Sequence, residues 1–80
     1  MRSSVATFAI AMETKLQLME HKGDWKRFSV IDLFRRVQVE VEELRQVVET
    51  QGEVEDVLDE CVDVANQAMF IYDKLRDEVP

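Results

Sequence analysis

Glu40-Val41-Glu42-Glu43-Leu44 and, further on, Glu60-Cys61-Val62-Asp63-Val64 are the stretches that decide the fold. Around them apolar residues recur every three or four positions, the period of an amphipathic helix and not of a strand. At about 100° per residue, the stripe Phe34, Val37, Val41, Leu44, Val48 is centred on Val41, with Glu40 roughly 100° and Glu43 roughly 160° to one side. The later stripe, Val57, Cys61, Val64, Ala65, Ala68, is centred on Cys61. Glu60 and Asp63 stand at the same two angles and in the same direction from it. Two helices packed through these stripes bring four carboxylates to the edge of their seam.

Residues three apart on a helix have Cβ atoms roughly 5–6 Å apart, close enough for two carboxylates to share a cation. Without one, two such charges repel by roughly 0.8 kcal/mol in water and about 3 kcal/mol at an effective dielectric of 20. A partly buried cluster therefore calls for a metal, whereas a fully exposed one is an ordinary solvated face. Hard divalent ions such as Mg²⁺ or Mn²⁺ favour oxygen ligands of this kind.

Working outward, Ser29 followed by Asp32 resembles a capping box and opens a helix expected over Val30 to Thr50. Gln51-Gly52 is the turn, and a third helix is expected from Glu53 to Arg76, its acidic first turn matching the helix dipole. Upstream, Ser3 or Ser4 can cap a first helix with Val5, Phe8, Ala9, Met12, Leu16 and Met19 on its apolar side. His21-Lys22-Gly23-Asp24 ends that helix, and the aromatics and bases of Trp25-Lys26-Arg27-Phe28 follow. No hairpin signal or low-complexity tract interrupts the pattern. The expected architecture is all-α: a single domain, residues 1–80, in which an antiparallel three-helix unit forms a larger bundle by oligomerisation.

At 80 residues the core is small, and a core of that size seldom supplies more than about 3–5 kcal/mol by itself, which favours a homodimer or homotetramer. Cys61 is the only cysteine, which excludes an intrachain disulfide, and with His21 the only histidine the composition argues against a Cys/His zinc site. The net charge is −7, with Arg45 the only base among the acids from Glu40 to Asp63. That balance argues against nucleic acid as a partner, since a duplex-binding surface needs a basic stripe. It also makes a metal necessary for any anionic substrate at this site. No apolar run is long enough to cross a membrane, and Met1-Arg2-Ser3-Ser4 opens a poor signal peptide, so a cytoplasmic protein is expected.

The two acidic stretches together resemble the E-x-x-E…E-x-x-D signature of the all-α nucleotide pyrophosphohydrolases, the MazG-like superfamily that includes dimeric dUTPases and dCTP pyrophosphatases. Asp24-Trp25-Lys26-Arg27-Phe28 is similar to the D-W-x-x-F stretch of dCTP pyrophosphatase-type members, and Asp63-Val64-Ala65-Asn66 to the D-V-A-N of small phage and bacterial ones. The resemblance spans residues 12–75. It implies that Glu40, Glu43, Glu60 and Asp63 bind Mg²⁺, with Mn²⁺ as a substitute. It further implies hydrolysis of a (deoxy)nucleoside triphosphate to monophosphate and pyrophosphate by water attack at the α-phosphorus. Several members carry an aromatic where Gln67 stands here, so base preference does not carry over.

Glu43, the acid farther from the apolar edge, is the first choice for the general base. Trp25 reads either as a core anchor for its loop or as a stacking surface for a nucleobase. Lys22, Lys26 and Arg27 read as solvated bases or as contacts to phosphate, with Lys15 and Lys74 behind them. Asn66 is expected on the polar side, where it can reach a base, a sugar or a metal ligand. Cys61, Met12, Met19, Met69 and Tyr72 are expected in the core. The rival to an enzyme is an acidic helical interaction module that oligomerises through its stripes and offers its acids to a basic partner.

Overall fold

The computed structural model describes residues 1–19 and 24–79. Among them are three α-helices and no strand: α1, Ser3–Leu18; α2, Val30–Glu49; and α3, Val54–Arg76, with a 3₁₀ turn, Asp24–Arg27, before α2. His21, Lys22 and Gly23 lie outside the described residues. No described helix is long and apolar enough to cross a membrane.

Helix α2 starts where its sequence sets the start: Ser29 is extended, and its hydroxyl accepts a hydrogen bond from the Asp32 amide at 3.2 Å. The first helix differs from expectation. It begins at Ser3 with Arg2 in the capping position and no side-chain cap, so neither serine serves that role.

The α2–α3 turn is a Schellman closure. The Gly52 amide donates to the Val47 carbonyl at 2.9 Å and the Gln51 amide to the Val48 carbonyl at 3.2 Å. The left-handed residue is Gln51, with φ of 55°, and not the glycine. Gly52 is needed for a different reason: a Cβ there would sit 2.8 Å from Val47 Cγ1.

This short turn lays α2 antiparallel along α3, and that pair makes most of the interhelical packing, with α1 held on α3 more sparsely. Leu33, Val62 and Phe70 form the buried apolar core. The packed face of α2 runs through Leu33, Val37, Glu40, Leu44 and Val47. Its centre is rotated about 80° from the Val41 stripe, toward the acids. Glu40 is consequently part of the packed face, while Phe34, Val41 and Val48 point outward. On α3 the deepest row is Val62, Asn66, Phe70, one position on from the Cys61 stripe, because α3 is covered by α1 and α2 on different sides.

Three side chains expected in the core are therefore elsewhere. Tyr72 is 71% exposed, Met19 is largely exposed at the end of α1, and Cys61 is half-buried beside Phe8.

The 3₁₀ turn is pinned by Trp25. Its ring stacks on Phe70 with centroids 4.3 Å apart and planes 17° from parallel, and its Nε1 donates to Asp73 Oδ2 at 3.1 Å. Lys74 Nζ adds a hydrogen bond to the Lys26 carbonyl at 2.7 Å. Arg36, a possible partner for Glu40 by spacing, lies over the Phe28 ring instead, 4.2 Å from its centroid.

Candidate metal centre

Helix α2 contributes Glu40 and α3 contributes Glu60 and Asp63, and each of the three offers a carboxylate oxygen within 4.8 Å of the other two. Antiparallel packing through the rotated face of α2 is what makes them converge. Glu43 stands one turn on from Glu40, more exposed but close enough to act on its ionisation. Of the four acids expected at the seam edge, Glu40, Glu60 and Asp63 come within this distance of one another and Glu43 does not join the group, while Glu40 lies deeper than the sequence suggests.

Electrostatics mark the cluster off from a solvated acidic face. Burial, then the hydrogen bond and charge of Glu43, then the charges of Asp63 and Glu60 push the Glu40 carboxyl up to about 7. Glu60 is raised as well, by burial and by Asp63 and Glu43, with Lys15 opposing. Glu40 Oε2 and Glu60 Oε2 are both buried without a hydrogen-bond partner among the described residues. Buried carboxylate oxygens normally have partners, so two orphans in one acidic cluster suit a cation shared between the helices. The donor set is all oxygen, which fits a hard divalent ion.

Lys15 on α1 is the cation the structure brings to this cluster. Its ammonium lies 2.5 Å from Asp63 Oδ1 and 2.8 Å from Asp59 Oδ1. Burial lowers its pKa, but the hydrogen bonds and charges of Asp59 and Asp63 outweigh that and leave it raised. Nothing in the local sequence singles Lys15 out over Lys22 and Lys26; only the packing of α1 on α3 does so. Lys26 points away, its ammonium 3.7 Å from Asp73 and 3.6 Å from Asp77, roughly 15 Å along α3 from Asp63. Lys22 lies outside the described residues.

Beside the carboxylates is a cleft of about 380 Å³, walled by Lys15, Leu16, Glu40, Asp63, Asn66 and Phe70, among others. Asn66 is only 4% exposed, which corrects its expected place on the polar side of α3. Its Nδ2 donates to the Met12 carbonyl at 3.3 Å, while Oδ1 is buried and unpartnered. Gln67 Oε1 in the same wall is also unpartnered. Phe70 borders this cleft and a smaller one lined by Asp24, Trp25, Phe28 and Arg36. Trp25 therefore backs the aromatic wall of the cleft through Phe70.

Comparisons with protein-family models, with curated proteins and with solved structures gave no match. The functional reading rests on the residues and their geometry.

Proposed function

We propose that the chain is a Mg²⁺-dependent nucleoside triphosphate pyrophosphohydrolase, converting a (deoxy)nucleoside triphosphate to the monophosphate and pyrophosphate as a homo-oligomer. The observation that carries this reading is the convergence of Glu40, Glu60 and Asp63 from two helices, with buried, unpartnered oxygens on both glutamates, at the wall of a cleft. Its size falls within the range of small-molecule sites. The order of acids along the chain, E-x-x-E then E-x-x-D, supports it independently.

Glu40, Glu60 and Asp63 would hold the ion, which supplies charge neutralisation and Lewis acidity toward the phosphates when bound. The side chains divide the remaining work. Glu43, adjacent to the cluster and more exposed, takes the proton from the water that attacks the α-phosphorus. The bond from that phosphorus to the oxygen bridging to the β-phosphate breaks, and pyrophosphate leaves with the electron pair. Lys15 exchanges its Asp63 contact for a phosphate oxygen, keeping one positive charge in the cleft throughout. Asn66 Oδ1 accepts a hydrogen bond from the sugar or base, and Phe70, backed by Trp25, gives the apolar wall for the nucleoside. Lys26, held by Asp73 and Asp77, is free to contact substrate only by leaving them.

The test is pyrophosphate release from the common ribo- and deoxyribonucleoside triphosphates, each with Mg²⁺ and with EDTA, following the monophosphate. Turnover is expected with Mg²⁺ alone, and Asp63→Asn or Glu60→Gln is expected to lower it by roughly 100-fold or more. Silence across all substrates from folded protein would sink the reading and leave the acidic interaction module.

A further inference from the structure

We infer that the cleft beside the acidic cluster reads the sugar of its nucleotide: Asn66 and Gln67 select ribose over 2′-deoxyribose by pairing with its two neighbouring hydroxyls. The inference rests on the reading of this cleft as a nucleoside triphosphate site.

The first observation is a pair of oxygens with nothing to accept. Asn66 is 4% exposed, and its Oδ1 is buried without a hydrogen-bond partner among the described residues, as is Gln67 Oε1. Both side chains line the cleft. The Asn66 amide cannot be turned to hide its oxygen. Its Nδ2 donates to the Met12 carbonyl at 3.3 Å, and the reverse orientation would set two oxygens against each other. A buried acceptor held in this way normally has a donor to meet.

The donor follows from where the pair stands on α3. Asp63 belongs to the acidic cluster, Asn66 lies about 4.5 Å farther along the helix axis and Phe70 about 10.5 Å. All three face the same cleft. A nucleotide laid along this wall with its phosphates at the carboxylate cluster meets the helix in the order phosphate, sugar, base. The base then falls on the Phe70 ring, and the sugar falls opposite Asn66 and Gln67.

Two acceptors match ribose better than deoxyribose. The 2′ and 3′ hydroxyls of ribose are neighbours and each donates once, so both oxygens are satisfied together. 2′-Deoxyribose brings one hydroxyl and sets a methylene against the other oxygen. A buried polar group left unpaired is what makes a site reject an analogue that lacks a hydroxyl. Were the Gln67 amide turned, its NH₂ would donate to the same hydroxyl, which accepts as readily as it donates. A methylene does neither.

The test compares affinity with turnover. Matched ribo- and 2′-deoxyribonucleoside triphosphates with a methylene bridge between the α- and β-phosphorus, for adenine, guanine, cytosine and uracil, are titrated by calorimetry with Mg²⁺ present. For the base that binds tightest, the ribo form should bind ~10-fold or more tightly than its deoxy partner. Gln67→Met keeps the length of the side chain, removes its polar atoms and should erase most of that preference. Asn66→Leu probes the other oxygen but also cuts the Met12 bond, so Gln67→Met decides if that variant fails to fold. Equal affinity for the two sugars, or a preference unchanged in Gln67→Met, would overturn the inference. A ribose preference in binding without hydrolysis of the ordinary triphosphates would sink the enzyme and leave the sugar subsite standing. No binding of either sugar would overturn both.

Discussion

Glu40 concentrates what is unusual here, because a carboxylate occupies a packed helix face among three other acids. Its carboxyl sits at about 7 against an ordinary 4.5, so the folded state holds that proton more tightly than the unfolded chain between those two values. The stabilisation is full below the unfolded value and is lost as pH rises through about 7. Glu60 is shifted in the same direction. Without metal, the Glu40→Gln variant should therefore melt above the parent near pH 8, and the gap should shrink toward about pH 5. Parallel melting curves across that range would show that Glu40 is an ordinary solvated acid. Millimolar Mg²⁺ should reverse the order, stabilising the parent at pH 8 and leaving Glu40→Gln unmoved. Lys15 belongs to the same balance: Lys15→Met removes the resident charge next to Asp63 and should tighten Mg²⁺ binding while weakening the hold on a triphosphate.

At the level of elements, helix positions follow local chemistry and helix faces do not. Ser29 and Asp32 set the start of α2, and Gln51-Gly52 set its end, all readable in the chain. The division of labour inside the turn is less visible. Glycine is the usual left-handed residue, yet here Gln51 takes that conformation and Gly52 is kept small by Val47. Gln51→Gly should accordingly stabilise the protein by about 0.5–1 kcal/mol, since the strain of a left-handed glutamine exceeds the entropic cost of glycine. Gly52→Ala should destabilise by ~1 kcal/mol or more, because the added methyl meets a stiff β-branched side chain. Urea melts of the two variants distinguish the roles; equal and opposite assignments would follow if Gly52 were the strained residue.

For the whole molecule, an apolar core of Leu33, Val62 and Phe70 is slight for three helices. A chain stabilised mainly through its own core melts at a temperature independent of concentration. One that relies on a second copy does not, because association draws the folded state forward by mass action. Raising the concentration 100-fold should lift Tm by several degrees, at roughly 4–8 °C per kcal/mol for a domain of this size. A Tm insensitive to concentration in the parent would place the stability within the single chain.

The division between sequence and tertiary structure follows from the range of the forces involved. Helix starts, stops and the turn depend on neighbours within a few residues, so α2, α3 and the placing of each acidic pair on one side of its helix are legible from spacing. The sequence by itself also made the shared acidic chemistry of Glu40, Glu60 and Asp63 visible, because three-residue spacing sets side chains on one face whatever surrounds them. Which face turns inward depends on how many neighbours a helix has, and periodicity averages over all of them. The α2 stripe mixes positions that pack on α3, Val37 and Leu44, with positions left outward, Phe34, Val41 and Val48, so its apparent centre falls between two surfaces. Only the three-dimensional packing moved Glu40 inward, buried Asn66, turned Tyr72 out and brought Lys15 from a distant helix to Asp63. Contacts across 44 and more positions are fixed by interhelical packing, and no local pattern in the chain encodes them.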